Sequence, residues 1–155
     1  ETVTNAGATT TNTLTVGGVT TDGITITDNN ISTTRSNDDL VLVPNGTGAV
    51  KTTATVHVGA FVGGHDILTG GGAIRTDTLT TELVTTGTQN FSLADGALGQ
   101  IKILVLKTDG GNATITPATF ADATNIVLDT VLDNVTLMFS SAGWLIIAGQ
   151  GFATS

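Results

Sequence analysis

Short runs in which aliphatic residues alternate with threonine fill the first part of the chain: Leu14 and Val16 between threonines, then Ile24 and Ile26. Alternation with period two puts every second side chain on one face of a strand, so each run predicts a strand with two or three inward positions. Gly17-Gly18, Asp22-Gly23 and Asp28-Asn29-Asn30 separate the runs as turns. Strands this short bury too little to make a sheet alone, and the simplest partners are identical strands of neighbouring copies. A sharper run follows, Leu40-Val41-Leu42-Val43, opened by Asn37-Asp38-Asp39 and closed by Pro44-Asn45-Gly46-Thr47-Gly48.

From about residue 87 the apolar runs lengthen. Ile101 to Leu106, Ala113 to Ile115, Ile126 to Leu128 and Val131-Leu132 are strand candidates. Val135 to Phe139 and Trp144 to Ala148 form the last pair, joined by Ser140-Ser141-Ala142-Gly143. Val135, Leu137 and Phe139 share one face. The partner strand is apolar on both faces, Trp144 and Ile146 on one and Leu145 and Ile147 on the other, so both faces are expected to be covered, by a second sheet or by another subunit. No solenoid with a fixed short period emerges.

Composition sharpens this picture. The 155 residues include 33 Thr and 20 Gly but only two Glu and no Tyr, which favours strands and excludes a helical bundle, a coiled coil and a typical α/β enzyme. Aromatic residues make up 4%, so a core must be built from Val, Ile, Leu and Ala, and a compact monomer of this make-up is marginal. Charged residues are only 12% and mean hydropathy is +0.30, against a disordered tail. The formal net charge of −8, with Arg35, Lys51, Arg75, Lys102 and Lys107 scattered singly, disfavours nucleic acid and anionic membrane surfaces. No apolar window is long enough to span a bilayer, and the absence of cysteine excludes a disulfide framework.

Two stretches carry a resemblance to fibre-type structural proteins of tailed bacteriophages, particularly marine and cyanobacterial ones. Ile24-Thr-Ile-Thr-Asp-Asn-Asn-Ile31 with Asn37-Asp-Asp-Leu-Val-Leu-Val-Pro-Asn-Gly-Thr-Gly-Ala-Val50 is similar to their shaft units. Gly99-Gln-Ile-Lys-Ile103, Gly110-Gly-Asn-Ala-Thr-Ile-Thr-Pro117, Val135-Thr-Leu-Met-Phe139 and Gly143-Trp-Leu-Ile-Ile147 look like a compact terminal β-domain of such virion proteins. The resemblance implies a homotrimeric, rigid, elongated appendage or capsid-attached fibre, often engaged in host adsorption. Tips that hold glycans usually present Tyr and Trp. Here Tyr is absent and Trp144 lies in a hydrophobic hairpin, which favours a decorating, spacing or assembling role.

Candidate chemistry is sparse. His57 and His65 are the only histidines, and three copies of one of them about a threefold axis would make a metal site, but neither has adjacent ligands and both read as plain polar residues. Gly63-Gly64-His65-Asp66-Ile67-Leu68-Thr69-Gly70-Gly71-Gly72 resembles the calcium-binding nonapeptide repeat of parallel β-rolls, yet its second copy dissolves into Ala73-Ile74-Arg75-Thr76-Asp77, so a Gly-rich bend or hinge is the better reading. Asp38-Asp39 point to opposite strand faces and do not converge as acid and base. Five tripeptides, starting at Asn30, Asn45, Asn90, Asn112 and Asn134, fit the N-glycosylation pattern, as expected by chance in a chain so rich in threonine. No catalytic, cofactor-binding or metal-ligating residue is assigned.

The sequence therefore predicts an all-β, non-enzymatic chain: an extended interwoven β shaft or attachment arm over 1–55, a Gly/Thr-rich connector over 56–86, and a small antiparallel β-sandwich head over 87–155. Its expected partners are two further copies of itself in a homotrimer, other virion structural proteins and a host surface receptor, with no nucleic acid and no membrane insertion. The expected location is the virion. The alternative is a bacterial or archaeal cell-surface filament subunit, whose N-terminal strand completes the next subunit's sheet. The start at Glu1 rather than Met fits prior removal of an upstream segment under that alternative.

Overall fold

The computed structural model describes residues 42–44, 46 and 49–155. The chain divides into two units, Glu1–Val56 and His57–Ser155. The shaft expected over 1–55 lies largely outside the described residues. In the first unit Gly46 occupies a turn at φ +60°, as the Pro-Asn-Gly-Thr-Gly pattern predicts, while Leu42 and Val43 are exposed and carry no strand.

The second unit is all-β, and no helix occurs among the described residues. Ten strands are present: β1 (His65–Thr69), β2 (Gly72–Ile74), β3 (Thr80–Val84), β4 (Gln89–Leu93), β5 (Ile101–Thr108), β6 (Ala113–Pro117), β7 (Ile126–Leu128), β8 (Asn134–Ser140), β9 (Gly143–Gln150) and β10 (Ala153–Thr154). They form two open five-stranded sheets, one in the order β1-β3-β5-β8-β9 and the other β10-β7-β6-β4-β2. Both sheets are mixed. The pairs β1/β3, β3/β5, β2/β4 and β4/β6 run parallel, and β5/β8, β8/β9, β6/β7 and β7/β10 antiparallel.

This corrects the antiparallel sandwich expected over 87–155. Up to β6 the chain crosses to the opposite sheet at every step, so β1–β2, β3–β4 and β5–β6 are three successive turns of a flattened coil. Parallel neighbours need a long return connection, and here the strand of the opposite sheet supplies it. The turns differ in length: Asp66 pairs with Thr81 and Thr81 with Leu104, steps of 15 and 23 residues. Unequal turns leave no fixed period in the sequence. Residues 65–84, which the sequence places in a connector, supply β1, β2 and β3.

Glycine and threonine make the corners stack. Gly70 N–H donates to the Val84 carbonyl (3.1 Å), Thr85 N–H to the Thr108 carbonyl (3.0 Å), and Gly110 N–H to the Thr85 hydroxyl (2.9 Å). At Gly111, φ is +149° and a Cβ would lie 2.5 Å from the Thr88 nitrogen, so only glycine lets this corner sit on the one before it. Through this stacking the four residues between β5 and β6 form a sheet-to-sheet corner. The true hairpin is β8–β9, at the predicted Ser140–Gly143 turn.

One apolar core lies between the sheets. Leu83, Leu104, Leu106, Val135, Leu137 and Trp144 enter it from the first sheet, and Ile74, Phe91, Leu93, Ile115, Ile126 and Leu128 from the second. Val131-Leu132, a strand candidate in sequence, is instead a turn with both side chains exposed and Leu132 at φ +72°. The Asp133 carboxylate accepts from the N–H groups of Asp129 (3.1 Å) and Thr130 (2.9 Å), offering the backbone an alternative to a ladder.

Candidate functional site

The most distinctive polar arrangement is a buried lysine. Alternation along β5 turns Lys102, Leu104 and Leu106 to the core and leaves Ile101, Ile103 and Val105 half-buried on the outward side. Lys102 Nζ donates to the Thr78 carbonyl (2.9 Å), the Thr78 hydroxyl (2.8 Å) and the Thr81 hydroxyl (2.7 Å). All three ammonium donors are thus satisfied, by neutral oxygens. Burial draws the Lys102 pKa down to about 8, against the opposing pull of Asp66 and Asp77 and with a smaller push from Arg75. A fully buried amine with every donor engaged ties the segment before β3 to β5. Fully buried, it lacks the access to a substrate that a nucleophile needs.

Beside this cluster an open groove of about 330 Å³ is lined by residues that include Phe61, Thr76, Asp77, Leu79, Gln100 and Ile101. Its one carboxylate is already engaged. Arg75 donates from Nε to Asp77 Oδ1 (2.9 Å) and from a terminal nitrogen to Oδ2 (2.6 Å). The guanidinium hydrogen bond holds Asp77 below the usual carboxylate range and raises Arg75 in turn. Both side chains are exposed, so the pair is screened by solvent. A second cation–carboxylate contact lies on the outward side of the first sheet. Lys107 donates to Glu82, and His65 Nε2 lies 4.0 Å from the same oxygen, Glu82 Oε2. The Lys107 hydrogen bond, and then the charges of Lys107 and His65, lower the Glu82 pKa against the effect of burial.

The residues singled out in the sequence do not converge. His57 is exposed, and His65 sits on β1, facing Glu82. Among the described residues no three His, Asp or Glu side chains are grouped to hold a metal. Gly70 and Gly71, both at φ +85°, make the bend between β1 and β2, where the sequence places a Gly-rich bend. Asp38-Asp39 lie outside the described residues. Trp144 is fully buried, donates from Nε1 to the Ala94 carbonyl (2.9 Å) and meets Phe139 edge-on at 5.2 Å, so its ring offers no face to a sugar.

Sequence reasoning treated Lys102 as one of several scattered cations. The signal was present in its phase: Lys102 shares a strand face with Leu104 and Leu106. No family model matches the chain, and no curated protein matches it.

Proposed function

We propose that the chain is a non-enzymatic structural protein of a phage virion, a fibre, an appendage or a capsid decoration. It assembles as a homotrimer with other virion proteins and aids host adsorption. The observation that carries this reading is the coiled construction of the second unit, in which three turns stack in register through backbone hydrogen bonds. Such a stack lengthens by adding turns and bears load through its backbone, which suits a rigid appendage. The resemblance of residues 24–50 to shaft units points the same way. The burial of Trp144 favours spacing or assembly over direct glycan binding.

A second reading, an extracellular filament built by strand complementation, is favoured by a specific feature. The strands of the first turn, β1 and β2, are terminal in their sheets. A strand from another chain would find unpaired backbone groups on both edges. Native mass by size-exclusion chromatography with light scattering, repeated after mild heating in SDS, separates the two readings. A discrete SDS-resistant trimer that survives deletion of residues 1–20 supports the virion protein. Open-ended polymers abolished by that deletion support the filament, and a monomer at all concentrations overturns both.

A further inference from the structure

We infer that copies of this chain meet through the outward face of the sheet β1-β3-β5-β8-β9, an inference that rests on the self-association proposed above. Aliphatic side chains run across the face among polar ones at Thr80, Glu82, Lys107, Asn134 and Thr136. Register places Ile101, Met138 and Leu145 side by side, and Ile103 between Thr80 and Thr136. Val84 and Val105 add to it, and Ile67 and Ile147, each 51% exposed, lie at its two edges. Ile147 is the extra residue of a register shift: Thr136 pairs with Ala148 and Leu137 with Ile146, which leaves Ile147 unpaired and half exposed. No strand or helix among the described residues lies over this face.

Charge selects a second copy as the occupant. The chain has a formal net charge of −8, so copies repel wherever their acids meet. On this face the strands present one carboxylate, Glu82, engaged by Lys107 and faced by His65. Asp95, Asp109, Asp122 and Asp129 all lie in connections between strands. Two copies therefore approach on this face without unpaired like charges opposed, and a basic partner finds little to attract it there. The other sheet's outward face is also free of carboxylates, so the exposed aliphatic side chains decide between the two. The size also fits. Five strands at about 4.8 Å spacing and five to eight residues long cover on the order of 500 Å² in plan before side-chain relief, the scale of the roughly 800 Å² per partner of a stable interface.

The test uses the full chain and light scattering over a range of concentrations. Ile67→Glu with Ile147→Glu sets like charges into the face at positions already half exposed. Asn90→Glu with Ser92→Glu adds the same charge to the outward face of the other sheet. Emission of the buried Trp144 reports the fold. Association weakened at least tenfold by the first pair and unchanged by the second is the expected result. A folded first variant with wild-type mass overturns the inference and leaves self-association standing. A wild-type chain that is monomeric throughout overturns both. If the Glu pair does not fold, Ile67→Thr with Ile147→Thr decides: weakened association supports the face, and unchanged association overturns it.

Discussion

The two sheets share one core, but they differ on both of their faces. Outward, the sheet β10-β7-β6-β4-β2 presents Ala73, Asn90, Ser92, Thr114 and Thr116, mostly small and polar groups that water solvates well, with Val127 as its one larger aliphatic residue. The sheet β1-β3-β5-β8-β9 presents Ile67, Ile101, Ile103, Val105, Met138 and Ile147 in the same position, among polar residues that include Thr80, Glu82, Lys107 and Thr136. Inward the contrast reverses. The second sheet contributes apolar side chains, while the first carries the polar trio Lys102, Thr78 and Thr81 at one end. Both register shifts also fall in the first sheet, at Leu83/Val84 and Thr136/Leu137. Aliphatic side chains left half exposed on the outward face of a sheet gain from being covered, whereas a face of mostly small and polar groups is stable against water.

The largest expected effects lie on the inner faces. Leu104→Ala in the first sheet and Ile115→Ala in the second each remove a fully buried aliphatic side chain and should each cost about 2–5 kcal/mol in urea unfolding. A loss under about 1 kcal/mol at either site would show that its sheet does not bear on the shared core.

Lys102 sharpens the difference between the inner faces. Its folded pKa of about 8 lies below the ordinary 10.5, so burial weakens the fold while the group is charged in both states. Between those two values the unfolded chain holds a proton that the folded chain has shed. Stability contributed by this group therefore rises with pH across that window, by on the order of 2 kcal/mol. The chain has no Tyr and no Cys to obscure the alkaline limb. Urea midpoints at pH 7, 8, 9 and 10 should climb in the wild type relative to Lys102→Met. Parallel profiles would mean that the amine is solvated.

Smaller effects test the outward faces. Lys107→Ala removes the partner that lowers the Glu82 pKa. The ion pair's contribution is present at pH 7 and lost as pH falls below the ordinary 4.5. The variant should differ slightly from wild type at pH 7 and low salt, and by less at 1 M salt or as pH falls through the lowered Glu82 pKa. Smallest of all, Ser92→Ala on the polar face should change stability by no more than about 0.5 kcal/mol, and a larger loss would indicate that this face too is covered.

Much of the local structure was legible in the chain itself. Apolar runs marked β5, β6, β7, β8 and β9, alternation assigned Val135, Leu137 and Phe139 to one face, and the Ser140–Gly143 turn marked the one hairpin joining long strands. Lys102 shows the limit. Its inward phase was readable, but its acceptors lie 21 and 24 residues away, and no local rule pairs them.

Strand class, the inward face of β8 and the apolar character of both faces of β9 follow from side-chain type and a period of two, and so are written in the chain itself. Which strand lies beside which is set by long-range contacts instead. A half-buried parallel strand and a half-buried antiparallel one carry the same alternation. The choice between hairpin and crossing is made by contacts such as Gly110 on Thr85 and Gly111 on Thr88, which join residues more than twenty positions apart.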